Sequence, residues 1–426
     1  MTSKGRAAVR RGGTHCRFCE AQLELTMVDL GKSPLCETYL AADRLEAMEP
    51  FYPLHVRVCT TCWLAQLPEF VEPEQIFTEY AYFSAYSDSW VEHARDYVDA
   101  VSRRLGLTSD TFVVELASND GYLLQHFLPR GISVLGIDPA ANVARAAEAR
   151  GVPTLVEFFG VEVARRLREE RRQADLIIGN NVLAQIPDLN DFVEGVAILL
   201  SPYGTATFEV PHLARLLEGL QYDTIYHEHF SYFSLATIRE VFAAHGLAVV
   251  DVEELASHGG SLRVYVTHGA GGVVEPAPAV ARLLEQEGAD GLLDSDRYRR
   301  FSHEVAESKR ALLELLIELR RSGKHVVGYG APGKGNTLLN FCGIRTDFLD
   351  YTVDRNPYKQ GKFTPGTHIP IAPPERIGET RPDAILILPW NLAKEISAQL
   401  SYTNDWGASL IVPIPMATVL QTPSDR

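Results

Sequence analysis

No apolar run of about 18 residues occurs in this chain, so a membrane-spanning protein is not expected. No apolar core follows the basic opening MTSKGRAAVRRGG. That opening reads as a tail without structure, and a cytoplasmic protein is expected. Positive charge is in deficit: 40 Lys and Arg against 55 Asp and Glu leave a formal net charge of −15. Such a field repels a nucleic-acid backbone, so no nucleic-acid partner is expected. A small anionic ligand answers to local charge and stays open. Cysteine is scarce and uneven. Five of six fall within the first 62 residues (Cys16, Cys19, Cys36, Cys59, Cys62), and Cys342 stands alone. In a reducing compartment these are thiols or metal ligands, not disulfides.

What is present is ordinary globular material, 46% hydrophobic and 22% charged, in a 426-residue chain long enough for roughly two to four domains. Short apolar runs alternate with helical segments from TFVVELASNDG through SVLGIDPA, ADLIIGNNVLAQI and GTATFEV. This is the pattern of βαβ units around a parallel sheet. A Gly/Pro/Ala stretch, GAGGVVEPAPA, reads as a linker or loop. A helix follows over 296–322, with Tyr298, Phe301, Val305, Leu312, Leu315, Leu316 and Leu319 on one face. A second alternation, KHVVGYGAPGKGNTLLN to SLIVPIP, predicts a second nucleotide-fold-like domain. The expected class is α/β: a small cysteine-rich N-terminal domain (1–75), a central Rossmann-like domain (76–265) and a second Rossmann-like domain (266–426).

Cys16-x-x-Cys19 and Cys59-x-x-Cys62 are two hooks separated by 39 residues. Paired hooks place four thiolates tetrahedrally around Zn²⁺, and a closed Cys₄ shell leaves no position for water. The zinc is therefore expected to be structural. The bland reading is a set of incidental cysteines, and the doubled spacing argues against it. Cys36 reads as a buried or loop thiol, Cys342 as core.

The run Glu115-Leu116-Ala117-Ser118-Asn119-Asp120-Gly121 takes a strand into a tight loop, where sheets of this type hold cofactors. Only one glycine is present, which disfavours a pyrophosphate. Glu115, Asn119 and Asp120 instead suit a cofactor with a cationic amino-acid end and no phosphate, namely S-adenosylmethionine, with Ala117 in the same turn. Asp138, ending the next strand, can accept from both ribose hydroxyls; its bland reading is a turn residue before Pro139. Asn180 and Asn181 end a third strand, either against the cofactor or as turn formers.

Two histidines, a carboxylate and several phenols crowd the eleven residues Tyr222 to Tyr232. H-E-H lacks the i, i+4 histidine spacing of a zinc protease helix, so acid–base chemistry is the better functional reading. The bland reading, a polar helix start with satisfied histidines, weighs equally for this segment alone.

Together these motifs resemble the sugar C-methyltransferase family that makes branched deoxysugars for natural products. The resemblance covers nearly the whole chain, through CxxC…CxxC, E-L-x-S-N-D-G, Y-H-E-H and Y-G-A-x-x-K-G-N-T-L-L-N. It implies a dTDP-linked 4-keto sugar as substrate, methylated at C3 and in some members at C5. It implies His229 as the base, Glu228 and Tyr226 as its support, and Tyr80 lining the site with Tyr82 and Tyr86 as neighbours. Members often carry N-x-x-x-H after the third strand. Here the match is Asn181 to Gln185, and a glutamine cannot serve as a base. The nucleotide end is expected on the second Rossmann-like domain, at the loop Gly330–Asn336, where Lys334 adds charge. Asn336, Asp354, Asn356, Lys359, Trp390 and Asn391 are expected to complete that pocket. HGGSLR adds His258 and Arg263, the latter read as a phosphate partner or an ion pair. An O- or N-methyltransferase on a related sugar, and a zinc scaffold without activity, are the alternatives. Oligomeric state is not fixed by any of these features.

Overall fold

The computed structural model describes residues 13–73, 84–86, 88–170, 172–269 and 275–420. Two compact units divide the chain, and each is visited more than once. The first gathers the chain up to Glu24 with Val58–Leu213 and Glu228–Leu293; the second gathers Leu25–Arg57, Ala214–His227 and everything from Asp294.

The first unit is built on a seven-stranded sheet. Its strands are β1 (Phe112–Leu116), β2 (Ser133–Ile137), β3 (Thr154–Leu155), β4 (Ala174–Asn180), β5 (Leu200–Pro211), β6 (Leu247–Leu255) and β7 (Ser261–His268). The order is β6–β7–β5–β4–β1–β2–β3, parallel except for the pairings that β7 makes with β5 and β6. Val113 and Val114 are both fully buried because the sheet is covered on both faces. Val113, Leu176 and Ile178 pack with Ala94, Tyr97, Val98 and Val101 of α1 (Asp88–Leu105). Val114, Ile177, Phe208 and Val210 face the opposite core, which includes residues of α2 (Val161–Glu169), α3 (Leu189–Leu199) and α4 (Leu235–Ala244). Asp188 caps α3 by accepting from Asp191 N–H, and Ser234 caps α4 by accepting from Thr237 N–H, both at 3.1 Å. β1 has β2 on one side and β4 on the other, so the carboxyl ends of β1 and β4 flank the topological switch.

This unit runs to Leu293, beyond the boundary expected at 265. β7 continues through His268, and α5 (Pro278–Ala289) packs on α4 and β6. Pro278, inside the expected linker, is instead the first residue of α5, where its fixed φ and missing N–H are tolerated.

The second unit holds a six-stranded sheet. Its strands are β8 (Val326–Tyr329), β9 (Thr352–Val353), β10 (Ile371–Ala372), β11 (Ala384–Ile387), β12 (Ser409–Val412) and β13 (Thr418–Leu420), ordered β10–β9–β8–β11–β12–β13. Five are parallel and β13 is antiparallel. The expected long helix is α6 (Ser295–Arg321), with Tyr298, Phe301, Val305, Leu312 and Leu316 buried. α7 (Gly333–Cys342) follows the loop after β8. The strand Leu25–Ser33, between the two cysteine hooks in sequence, packs on α6 and α7. Its unit therefore differs from that of the hooks themselves.

Among the described residues no helix is long and apolar enough to cross a membrane.

Candidate functional site

At the switch point, residues without glycine's freedom adopt positive φ: Ala117 (55°), Asn119 (49°) and Asn181 (55°). Such backbone is strained for L residues and clusters where a site needs it. Asp138 holds this turn. Its Oδ2 accepts from Asn119 N–H and its Oδ1 from Ala140 N–H, both at 2.9 Å. Asn119 Oδ1 accepts from Ser84 N–H at 3.0 Å, and Asp120 Oδ2 from Ala85 N–H at 3.2 Å. The N-D pair thus ties residues 84–86 to the loop.

Several buried acceptors here have no hydrogen-bond partner: Glu115 Oε2, Ser118 Oγ, Asp120 Oδ1 and Asn180 Oδ1. Orphaned buried polar atoms are costly and call for donors. S-adenosylmethionine carries the donors this set lacks, an α-ammonium and two ribose hydroxyls, and so the residues fit it. Burial pushes the Glu115 carboxyl well above the usual carboxylate range, and the neighbouring Asp138 and Asp120 push it further. A cationic ligand would reverse that.

The histidine segment separates into two roles. His227 is buried, donates from Nε2 to the Tyr52 carbonyl at 3.3 Å and meets the Tyr52 ring edge-on at 5.7 Å. Burial drives its pKa down to about 4, so it is neutral and structural. His229 is half-buried, its ring edge-on to Tyr232 at 6.3 Å. The next residue, Phe230, donates its N–H to Ala184 O at 2.8 Å, and its carbonyl accepts from Leu67 N–H at 2.9 Å. Ala184 precedes Gln185, so the two expected active-site segments are neighbours. Glu228 is buried and Tyr226 half-buried. Tyr80 and Tyr82 lie outside the described residues, as do the side chains of Tyr86 and His258.

The sulfur atoms of Cys16, Cys19, Cys59 and Cys62 all lie within 4.8 Å of one another. Cys16–Cys62 and Cys19–Cys59 are each 3.5 Å apart. A tetrahedron with Zn–S of about 2.3 Å needs sulfurs about 3.8 Å apart, so the four thiols fit zinc. Gln66, unremarked in the sequence, donates from Nε2 to Cys16 Sγ at 3.2 Å and accepts from Arg17 N–H at 2.9 Å. Such outer hydrogen bonds orient metal ligands. The Ala65–Gln66 strand pairs antiparallel with Ser231–Tyr232, joining the second hook to the His229 segment.

In the second unit the expected nucleotide pocket narrows. Asn336 is buried, its Nδ2 donating to Cys36 O at 2.6 Å. Lys359 donates to Ala331 O at 2.9 Å, lies 3.5 Å from Glu37 and sits over the Tyr39 ring. Asp354 accepts from Ala331 and Asn356 N–H, both at 2.8 Å, and Asn356 accepts from Tyr358 N–H at 3.0 Å. These four residues build turns and hold residues 36–39. A Cβ on Gly333 would meet Cys36 Sγ and Glu37 Oε1, each at 2.9 Å, so the protein's own carboxylate sits beside the start of α7.

Three expected residues remain together. Lys334 donates to Asn391 Oδ1 at 2.8 Å and stacks over Trp390, 5.1 Å from its ring centre. The Trp390 indole donates to Asp223 Oδ2 at 2.6 Å. Asp223 was not foreseen, although an acid between two buried residues, Tyr222 and Ile225, is a signal of a buried charge. Burial raises its pKa to about 6, against the pull of Lys334 and Trp390.

Arg263 has its partners inside the first unit. It is buried, 2.7 Å from Glu209 and 3.4 Å from Glu253, with its guanidinium over the Tyr97 ring. Two carboxylates match its charge, which is the ion-pair reading of this residue. Glu209, register-paired with Asn180, also accepts from Ser257 Oγ at 2.7 Å and lies 3.0 Å from His93 Nε2. Sequence reasoning missed this network because its members are scattered over 170 positions.

Three family models match in tandem: "Putative zinc binding domain" over residues 16–77, "Methyltransferase domain" over 90–252 and "C-methyltransferase C-terminal domain" over 256–415. The C-methyltransferase NovU of Streptomyces niveus is 39% identical over 409 residues, spanning 96% of this chain and 97% of NovU. Among solved structures, the PH0226 protein of Pyrococcus horikoshii OT3 is similar at 17% identity and a TM-score of 0.37, covering 47% of this chain and 99% of that one. An S-adenosylmethionine-dependent methyltransferase of Clostridium acetobutylicum ATCC 824 is similar at 13% identity and a TM-score of 0.34, covering 44% and 94%.

Proposed function

Because this chain belongs to the family of S-adenosylmethionine-dependent C-methyltransferases with an N-terminal zinc-binding domain, we propose that it methylates C3 of a dTDP-linked 4-keto-deoxysugar. The observation that carries this reading is the difference in surroundings between the two histidines of Y-H-E-H. His227 is buried and neutral, whereas His229 is half-buried on a segment bonded to the Asn181–Gln185 turn at the end of β4.

A ketone acidifies the neighbouring C–H, so a base near neutral pKa suffices to remove the proton. His229 takes that proton, and Glu228 orients the ring. Tyr226 and Tyr80 donate to the oxygen that gains charge as the C–H bond breaks. Gln185, next to this segment, has no proton-accepting role and positions the sugar through hydrogen bonds. Glu115, Asn119, Asp120, Asp138 and Asn180 would hold S-adenosylmethionine, which when bound supplies the electrophilic methyl group. The four cysteines would hold zinc in a closed shell, so its contribution is to folding. In the second unit Lys334, Trp390 and Asn391 supply a cation, an aromatic face and an amide suited to a nucleoside diphosphate.

The test is product analysis. The enzyme is incubated with S-adenosylmethionine and a panel of dTDP-4-keto sugars bearing 3-amino or 3-hydroxy groups, and products are read by mass spectrometry and NMR. A new C3–CH₃, with C3–H exchange in D₂O before cofactor is added, is expected. An O- or N-methylated product without exchange would overturn the reading, and exchange and methylation at C5 would move the site of reaction.

A further inference from the structure

The first cysteine hook encloses an arginine whose guanidinium reaches away from the sulfurs. Arg17 donates from Nη1 to the Pro187 carbonyl at 3.0 Å and from Nη2 to the Leu67 carbonyl, and its guanidinium lies 5.4 Å from the centre of the Phe230 ring. Pro187 stands two residues after Gln185, and Phe230 immediately follows His229. Leu67 closes the set, since its N–H donates to Phe230 O. On its other side Arg17 is fixed by its backbone N–H to Gln66, which bonds Cys16 Sγ.

We infer that Arg17 is a positioning residue that transmits the rigidity of the cysteine cluster to the His229 and Gln185 segments. A planar fork can bond two carbonyls at once while stacking on a ring, and a lysine ammonium cannot reproduce that geometry. Four sulfurs closed about one zinc would hold Cys16 and Cys19 still, and Arg17 between them would inherit that constraint. The hook therefore does more than stabilise its own module: it fixes the segment that carries His229, just ahead of the Ser231–Tyr232 strand. This inference rests on the assignment of His229 as the base.

The experiment compares Arg17→Met, Arg17→Lys, Phe230→Leu and His229→Asn in the full-length protein. Zinc per chain is measured by mass spectrometry, S-adenosylmethionine affinity by calorimetry, and kcat and KM by methyl transfer. Arg17→Met is expected to keep one zinc, and to keep cofactor affinity and KM within about threefold, while kcat falls on the order of 10- to 100-fold. Arg17→Lys should recover part of the loss, because one carbonyl bond returns. Wild-type kcat in Arg17→Met, or a loss that follows zinc content in proportion, overturns the inference. Should Arg17→Met not fold, Phe230→Leu decides: the same isolated fall in kcat supports the coupling, and an unchanged kcat overturns it. His229→Asn separates the two layers. Full turnover in that variant removes the base assignment itself, whereas loss of turnover there with none in Arg17→Met removes only the coupling.

Discussion

Phe230 N–H donates to Ala184 O at 2.8 Å, and that one backbone bond lays the residue preceding Phe230 beside the residue following Ala184. His229 and Gln185 are thus neighbours contributed by segments more than forty positions apart. In such a pair only the imidazole can accept a proton at neutral pH, which is why His229 is the proposed base. His229→Asn should lower kcat by about 10²–10⁴-fold, the range for a lost general base, with calorimetric cofactor affinity unchanged. Gln185→Ala should cost less than about tenfold, and chiefly in KM. An equal collapse of kcat in both variants would mean that proton transfer is shared or lies elsewhere.

The cofactor cradle makes a prediction about protons. Glu115 is buried beside Asp120 and Asp138, and burial first, then those charges, raise its pKa well above normal. Entry of a sulfonium and an ammonium favours the ionised carboxylate, so the proton leaves. Calorimetry of S-adenosylmethionine binding in buffers of different ionisation enthalpy should therefore show net proton release that fades as the pH rises past the raised pKa of Glu115. Glu115→Gln should abolish the release and weaken binding. Proton uptake, or a buffer-independent enthalpy, would contradict the proposed placement of the cation.

Why some of this was legible in the sequence, and some not, follows from the range of the contacts. The hooks, the E-L-A-S-N-D-G turn and the Ser295–Arg321 helix are written in residues a few positions apart, and local spacing carries them. The Gly330–Asn336 loop also reads locally as an anion cradle. What decides its use is the segment packed against it, Cys36 to Tyr39, some 300 positions away. Asn336 and Lys359 are spent on that segment, a fact no window of sequence contains. Arg263 reads two ways in the sequence for the same reason: its carboxylate partner Glu209 lies 54 positions upstream, on β5. Asp223 was missed because its value comes from Trp390, 167 positions on.

Two buried groups in the second unit bend the pH–stability curve in opposite senses. His227 has its pKa lowered by burial from 6.5 to about 4, so the stability it gives is present above about pH 6.5 and lost as pH falls through 4. The shift corresponds to about 3 kcal/mol. Asp223 has its pKa raised by burial from 3.8 to about 6, so its favourable contribution is complete below about pH 4 and lost as pH rises through 6. At pH 8 the charged, buried carboxylate costs about 3 kcal/mol, held in place for its bonds to Trp390 and its attraction to Lys334. Asp223→Asn should therefore raise the melting temperature at pH 8, and the gain should shrink to nothing near pH 4. The same variant should raise KM for the nucleotide sugar, since Lys334 and Trp390 lose their anchor. Thermal melts from pH 4 to 8 check the first outcome and steady-state kinetics the second. A destabilised variant at pH 8 would show that the ion pair outweighs desolvation.

The last prediction concerns the charge network behind Asn180. Burial alone would raise the pKa of Glu209, but the His93 hydrogen bond, the Arg263 charge and the Ser257 hydroxyl overcome it and hold the group near 2. Glu209 is thus ionised at every working pH and fully buried. Removing its cation strands an anion in a dry site. Arg263→Met should destabilise the first unit by about 3–5 kcal/mol, because a buried pair broken from one side leaves the other charge uncompensated. Glu209→Gln combined with Arg263→Met should recover much of that, since both charges go together. Calorimetric melts of the single and double variants give the comparison, and cofactor titration gives a second readout. Glu209 pairs in register with Asn180, and its carbonyl accepts the Asn181 N–H at 2.7 Å. Loosening it should weaken S-adenosylmethionine binding in Arg263→Met and restore it in the double variant. A phosphate role for Arg263 predicts the reverse pattern: little change in stability, normal cofactor affinity, and a defect confined to the nucleotide sugar that the second substitution cannot repair.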